Sequence, residues 1–497
     1  MYSIIVSPGR SSVSIALVFS LVFALASTQL ASAASLVQLS TDPYTNTTSQ
    51  HQTEVEPDTF SSGSTIVSAF QVGRFEDGGA SNIGFATSND NGVTWTQGFL
   101  PGITRIENPS NPYDRGSDAS VAFDAKHNAW LISTLAITAT AGNVNGVAVV
   151  TSRSADNGLT WSNPVVVNSG GNVDKNWIVC DDTASSPHFG NCYSEWDIPG
   201  TRIQMSTSTD GGLTWGSALS TANRAGGIGG QPVVQPNGNV VVPIDNASAT
   251  SVLAFTSTNG GTSWSRTVTV ASISSHVEAG SLRSEPLPSA EIDGSGKVYV
   301  VWSDCRFESG CAANDLVMST STNGTSWSAV QRIPTDPVGS GIDHFIPGLA
   351  VDKTTSGTTA HLVVTYYYYP RSNCTSTTCQ LDVGYSSSTN GGASWTAATQ
   401  LAGPISLSWL PNTTDGRMVG DYISTSFTGN GVAIPVFANA SSPNNSADCS
   451  SAGAVCHEAM FTVAQGLAVR SGTNSSVHDR VVTTSSQHVS LADVTAQ

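Results

Sequence analysis

From about residue 35 onward the chain is a series of short apolar runs broken by polar turns. Ile83-Gly-Phe-Ala-Thr87, Val147-Ala-Val-Val-Thr151 and Leu316-Val-Met-Ser-Thr320 each end at a turn rich in Asn, Asp and Gly. Upstream lie paired runs: Ala119–Asp124 with Ala129–Thr134, Gln231–Val234 with Asn239–Pro243, Leu287–Ile292 with Lys297–Trp302, and Gly348–Asp352 with His361–Tyr366. A late set, Tyr422–Phe427, Val432–Phe437 and Ala459–Val463, has the same character. Such runs, bounded by turn residues, predict β-strands joined by tight connections. The exception is Val13–Ala26, apolar and close to Arg10, followed by Ala31-Ser-Ala33. Residues 1–33 therefore read as a secretory signal, and no later run is long and apolar enough to span a bilayer.

One phrase recurs six times, each time ending on tryptophan. The close copies are Ser88-Asn-Asp-Asn-Gly-Val-Thr-Trp95, Ser154-Ala-Asp-Asn-Gly-Leu-Thr-Trp161 and Ser208-Thr-Asp-Gly-Gly-Leu-Thr-Trp215. Looser copies end at Trp264, Trp327 and Trp395, and successive tryptophans are 66, 54, 49, 63 and 68 residues apart. In each phrase the Asp or Asn can bond the amides of its own turn, the Gly allows positive φ, and the Trp can cap the hairpin. A strand–turn–strand unit repeated at this interval predicts a radial β architecture. Counting the paired runs gives seven units, six of them carrying the phrase; six units is the alternative. The seventh lacks an outer strand, which Ser35–Ser40 can supply, closing the ring with both chain ends.

The phrase is the Asp box, and the chain resembles the sialidase-like, BNR-repeat β-propellers over roughly residues 35–465. The resemblance implies an all-β propeller in one domain, 34–465, with a polar C-terminal tail, 466–497. As a marker of function the box is weak, because catalytic and non-catalytic propellers share it.

The eight cysteines fall in close pairs, Cys180 with Cys192, Cys305 with Cys311, Cys374 with Cys379, and Cys449 with Cys456. Local disulfides are the simplest reading, and they fit a secreted, extracellular protein. The spacings are irregular for zinc, and neither a metal nor a cofactor is required. The formal net charge is −17, with four lysines in the whole chain. That argues against nucleic acid and anionic membranes as partners. It also draws attention to the arginines, since a carbohydrate carrying negative charge needs local positive charge to bind. A monomer is expected.

In an antiparallel propeller blade with strands a to d from the centre outward, the Asp box is the c-to-d turn. The d-to-a and b-to-c loops then lie on the opposite face, where chemistry is expected. Strand a starts carry Glu54, Glu56, Asp58, Asp118, Lys175, Arg283, Glu285, His344, Asp421 and Tyr422, and strand b ends carry Arg74 and Arg306. Arg74-Phe-Glu76 and Arg306-Phe-Glu308 each stand 21 residues before a box tryptophan. These duplicated loops either aim two guanidinium groups at a carboxylate or sulfate, or pair each Arg with a nearby acid.

Retaining sialidases use an arginine cluster, a Glu-activated Tyr nucleophile and an Asp acid/base. Mapped by motif, the resemblance implies catalytic roles for Asp118, Glu285 and Tyr422. It implies substrate-binding roles for Arg74, Arg306, Arg283 and Arg417. The leading expectation is a secreted exo-glycoside hydrolase acting on an acidic glycan. A uronate polysaccharide lyase, using His344 and Tyr422 with Arg74 and Arg306, is one alternative. A non-catalytic glycan- or protein-binding propeller is another.

Overall fold

The computed structural model describes residues 35–140 and 142–478, so the expected signal at 1–33 lies outside the described residues. Among the described residues the strands form successive antiparallel meanders, the first two joined in one eight-stranded sheet. The first is Glu54–Ser62, Thr65–Arg74, Ala80–Ser88 and Thr96–Phe99, and the second is Arg115–Asp124, Ala129–Thr140, Asn143–Ser154 and Val165–Ser169. The third runs from Asp174–Cys180 to Leu219–Ser220. In the fourth the inner strand is split into Gly227–Ile228 and Val233–Val234, both paired to Val240–Asn246. The fifth and sixth begin at Ser289–Ile292 and His344–Val351. The seventh is Ser424–Phe427, Val432–Asn444 and Val455–Val463, and its outer strand is Leu36–Gln38 from the N-terminal end. Innermost strands touch in order from the first meander to the seventh, and the seventh touches the first. The protein is therefore an all-β propeller.

The core lies between neighbouring meanders, where period-two alternation turns apolar side chains of both sheets toward each other. Val67, Phe85, Val121, Trp130 and Trp161 fill one such layer, and Val241, Ala254, Val300, Trp302 and Val317 another. The Asp boxes fasten these layers. Ser88 Oγ accepts from Gly92 N at 2.8 Å, while Asp90 Oδ1 accepts from Thr94 N at 2.8 Å and Val93 N at 3.1 Å. Ser154 with Asp156 and Ser208 with Asp210 repeat the pattern. The fifth box is one residue shorter: Ser321 Oγ accepts from Gly324 N. The box glycine also docks on the preceding meander. A Cβ on Gly158 would sit 2.6 Å from Val67, and one on Gly212 2.7 Å from Leu131. Positive φ and this close approach together call for glycine.

Four disulfides form in the expected pairs. Cys180–Cys192 ties first and second strands of its sheet, and the other three staple second-to-third connections. Part of the segment expected as a tail is paired. Leu467–Ala468, Asn474–Ser475 and Val477–His478 add to Val432–Asn444, Ser394–Trp395 and Gln331–Arg332 in turn. No described helix is long and apolar enough to cross a membrane.

Candidate functional site

The inner strands break pairing at one recurring place. Register shifts fall at Val55/Asp58, Ser117/Ser120, Asp174/Trp177 and Phe345/Gly348. At these bulges Glu56, Asp118, Lys175 and Ile346 hold φ of 56°, 45°, 44° and 51°. Left-handed backbone at a non-glycine costs about 1–3 kcal/mol and tends to collect at functional sites. Here the bulges bring three charged side chains from three successive meanders together.

Lys175 is at the centre of that cluster. Its Nζ bonds Asp421 Oδ2 and lies 3.5 Å from Glu56 Oε1 and 3.6 Å from Asp118 Oδ1. Arg283 also grips Asp421, with Nε to Oδ1 at 2.7 Å and Nη2 to Oδ2 at 2.5 Å, and stands 3.6 Å from Asp415. Burial opposes ionisation of both Lys175 and Asp421, but their mutual attraction and the neighbouring charges outweigh it. Lys175 is held well above the usual lysine value and Asp421 well below the usual carboxylate range. The other acids go the opposite way. Burial drives Asp118 up, and drives Glu56 to about 7 and Asp174 to about 6, with Lys175 only partly offsetting it.

Arg74 enters the same cavity but differs from its neighbours. It is 3% exposed, its Nη1 donates to the carbonyls of Phe75 and Gly79, and its Nε is buried without a partner. Among the described residues it makes no ion pair with a carboxylate. Burial and the nearby Arg283 lower its pKa to about 10, which leaves it charged at neutral pH. Arg74, Arg283, Lys175, Glu56, Asp118 and Asp174 line one cleft.

Asp118 and Lys175 also line an adjoining cavity with Trp177, Leu287, Pro347 and Tyr422. The Tyr422 ring meets Trp177 edge-on at 5.1 Å, and its hydroxyl donates to Ala119 O at 3.2 Å. Burial raises this phenol well above its ordinary value, and Glu56 and Asp118 add to the effect. Glu285 lines a neighbouring cavity with His276, Glu278 and Asn314. Burial, and then Asp421, push its pKa to about 7.

The structure thus brings Arg74, Asp118, Arg283 and Tyr422 to two adjoining cavities, with Glu285 beside them. Three other expected residues lie elsewhere. Arg306 folds back on Asp304, with Nε to Oδ1 at 2.9 Å and Nη2 to Oδ2 at 2.8 Å. Arg417 pairs with Asp448 at 2.7 Å and reaches the site only by its backbone, whose carbonyl accepts from Arg283 N. His344 stacks on Tyr368 at 5.8 Å and sits with Asp315 and Asp336, a group that already holds the Arg332 guanidinium. Glu56, Lys175 and Asp421 were legible as inner-strand starts, but the sequence carried no signal that they form one cluster.

No protein-family model matches the chain, and no curated protein does. Solved structures similar to it include a Hadza microbial sialidase at 13% identity and TM-score 0.41, covering 83% of this chain and 66% of that one. The NanB sialidase from Streptococcus pneumoniae is similar at 13% identity and TM-score 0.43, covering 86% and 70%. An ulvan lyase from a new polysaccharide lyase family is similar at 10% identity and TM-score 0.48, covering 87% and 96%. The chain spans about two thirds of the length of the first of these sialidases.

Proposed function

We propose that this face binds an acidic glycan and hydrolyses it, in the manner of a sialidase-like exo-glycosidase. The observation that carries the reading is Arg74, a buried guanidinium with no carboxylate partner, set beside Arg283 on a cleft that Asp118 also lines. A charged group kept in that position is poised for an anion supplied from outside. Asp118, raised above the ordinary carboxylate range by burial, is the proposed acid that gives a proton to the leaving glycosidic oxygen. Tyr422, sharing a cavity with Asp118, is the proposed nucleophile, and Glu56 is the carboxylate whose charge acts on it most strongly. The phenol oxygen would bond the anomeric carbon as the glycosidic C–O bond breaks, its proton passing to Glu56 while the leaving oxygen takes the proton of Asp118; water, deprotonated by Asp118, would then release the sugar and the phenol would regain its proton from Glu56.

A second reading is supported by the Tyr422 hydroxyl, which donates to a backbone carbonyl rather than to a carboxylate. On that reading the same cleft captures an acidic glycan without cleaving it. The lyase set is dispersed, since His344 and Arg306 lie away from Tyr422 and Arg74.

The test is an assay of the secreted chain on fluorogenic sialosides and on uronate polysaccharides, with Asp118→Asn beside it. Release of a reducing sugar that Asp118→Asn abolishes supports hydrolysis. Binding without release supports capture. A new unsaturated-uronate absorbance would overturn both in favour of a lyase.

A further inference from the structure

Four acidic side chains outside the site are sealed in the sheets with nothing to pair with. Glu195, Asp197, Asp245 and Glu458 are each at most 1% exposed, and both carboxyl oxygens of each lack a hydrogen-bond partner. Glu195 and Asp197 share the strand Cys192–Ile198, Asp245 is on Val240–Asn246, and Glu458 is on Val455–Val463. An ionised carboxylate in such a place loses its hydration and receives nothing in return. It can be relieved by a cation or by a proton.

No cation-binding group gathers these four among the described residues. Among the described residues the one group of three metal-ligating side chains close enough to share an ion is Asp315, Asp336 and His344, which includes none of the four. Gly230 also presses on Glu195, so closely that a Cβ there would lie 2.6 Å from the carboxyl carbon. The charged surroundings are mostly negative. Asp197 faces Asp174, Glu195 and Asp118, with Lys175 as the opposing charge. Asp245 faces Glu285, and Glu458 faces Glu54. Burial is what raises Glu195.

We propose that these four groups are held as neutral acids, so that folding takes up protons and the protein is most stable in an acidic medium. Burial raises all four well above ordinary carboxylate values. Glu54, pushed up to about 8, and Asp58, pushed up to about 7, act in the same sense. In the unfolded chain these acids ionise near pH 4. Between that pH and their raised folded values, the native state holds protons that the unfolded state has lost. Stability therefore falls as pH rises through that window. Asp90, Asp156 and Asp421 are lowered, and their contribution is lost below about pH 4. The maximum is thus placed at about pH 4–5, below the usual range of about 5–8.

Reduced self-repulsion near the sequence pI of 4.7 acts in the same direction, so the test must separate the two. Thermal unfolding of the full secreted chain is compared with Glu195→Gln/Asp197→Asn and with an exposed control, Glu76→Gln/Glu107→Gln, which makes the same change in formal charge. The wild type is expected to melt at least about 5 °C lower at pH 8 than at pH 4.5. The buried pair should recover part of that loss at pH 8 without raising the pH 4.5 value, while the control should not. A wild type as stable at pH 8 as at pH 4.5 overturns the proposal, and so does a buried pair that behaves like the control. If the buried pair does not fold, calorimetry of the wild type in buffers of different ionisation enthalpy decides. Release of about two or more protons on unfolding at pH 6 supports the proposal, and none or net uptake refutes it.

Discussion

Replacing Lys175 with Met keeps the volume of the side chain and removes the charge on which three acids converge. Glu56 at 3.5 Å and Asp118 at 3.6 Å would each interact with the ammonium by about 4–5 kcal/mol at an effective dielectric of about 20. Those gross terms are largely cancelled. Burying an ammonium costs several kcal/mol, and both acids can escape by taking a proton. Asp421 keeps its two-pronged contact with Arg283. The net loss is expected at about 3 kcal/mol, the low end for breaking one partner out of a buried ion pair. Over about 440 ordered residues, at roughly 2 cal/mol/K each, that lowers Tm by about 3 °C. The assay is differential scanning calorimetry at pH 6, with Asp421→Asn and the double variant completing a cycle. The two single changes should be strongly non-additive, by about 1 kcal/mol or more. Additive effects, or a Lys175→Met protein that melts within 1 °C of wild type, would refute the cluster as an energetic unit.

Other expectations concern the site and the scaffold. If the proposed hydrolysis holds, Asp118→Asn should cut turnover of an acidic glycoside by about 10²–10⁴-fold without lowering Tm. Activity should fall as pH rises through the raised Asp118 value, because the acid must be protonated to act; loss only on the acid side would contradict its role. Ser88→Ala removes a buried hydroxyl that accepts from Gly92 N and donates to Asp90, and should cost about 1–2 kcal/mol in thermal unfolding. Removing Cys180–Cys192 by double Ser substitution should cost about 2–4 kcal/mol, with calorimetry as the check.

The scaffold was legible because its signals are local and repeated. Ser, Asp or Asn, and Gly of each box are fixed by bonds within a few residues, and Ser35–Ser40 offered a strand-like run to complete the last sheet. Cysteine pairing followed from intervals too short for much else. The site was legible only in part, because its geometry depends on side chains far apart in sequence. Nothing around Glu56, Asp118 or Lys175 announces left-handed backbone, since none of the three positions is a glycine and other residues seldom adopt it. The two duplicated Arg loops make the point most clearly. Two residues before Arg306 stands Asp304, which captures its guanidinium; two before Arg74 stands Val72, which cannot. Arg74 is therefore left facing the cleft, and one residue separates a structural arginine from a candidate ligand group.

The most direct test of the account is the preference for negative charge at the cleft. Calorimetric titration of an acidic oligosaccharide and its carboxyl-reduced counterpart, into wild type and Arg74→Gln, measures it. The account predicts that the wild type binds the acidic sugar at least about tenfold more tightly, a difference of about 1.4 kcal/mol, and that Arg74→Gln erases the preference. Equal affinity of the wild type for both sugars, or a preference that survives Arg74→Gln, would contradict it.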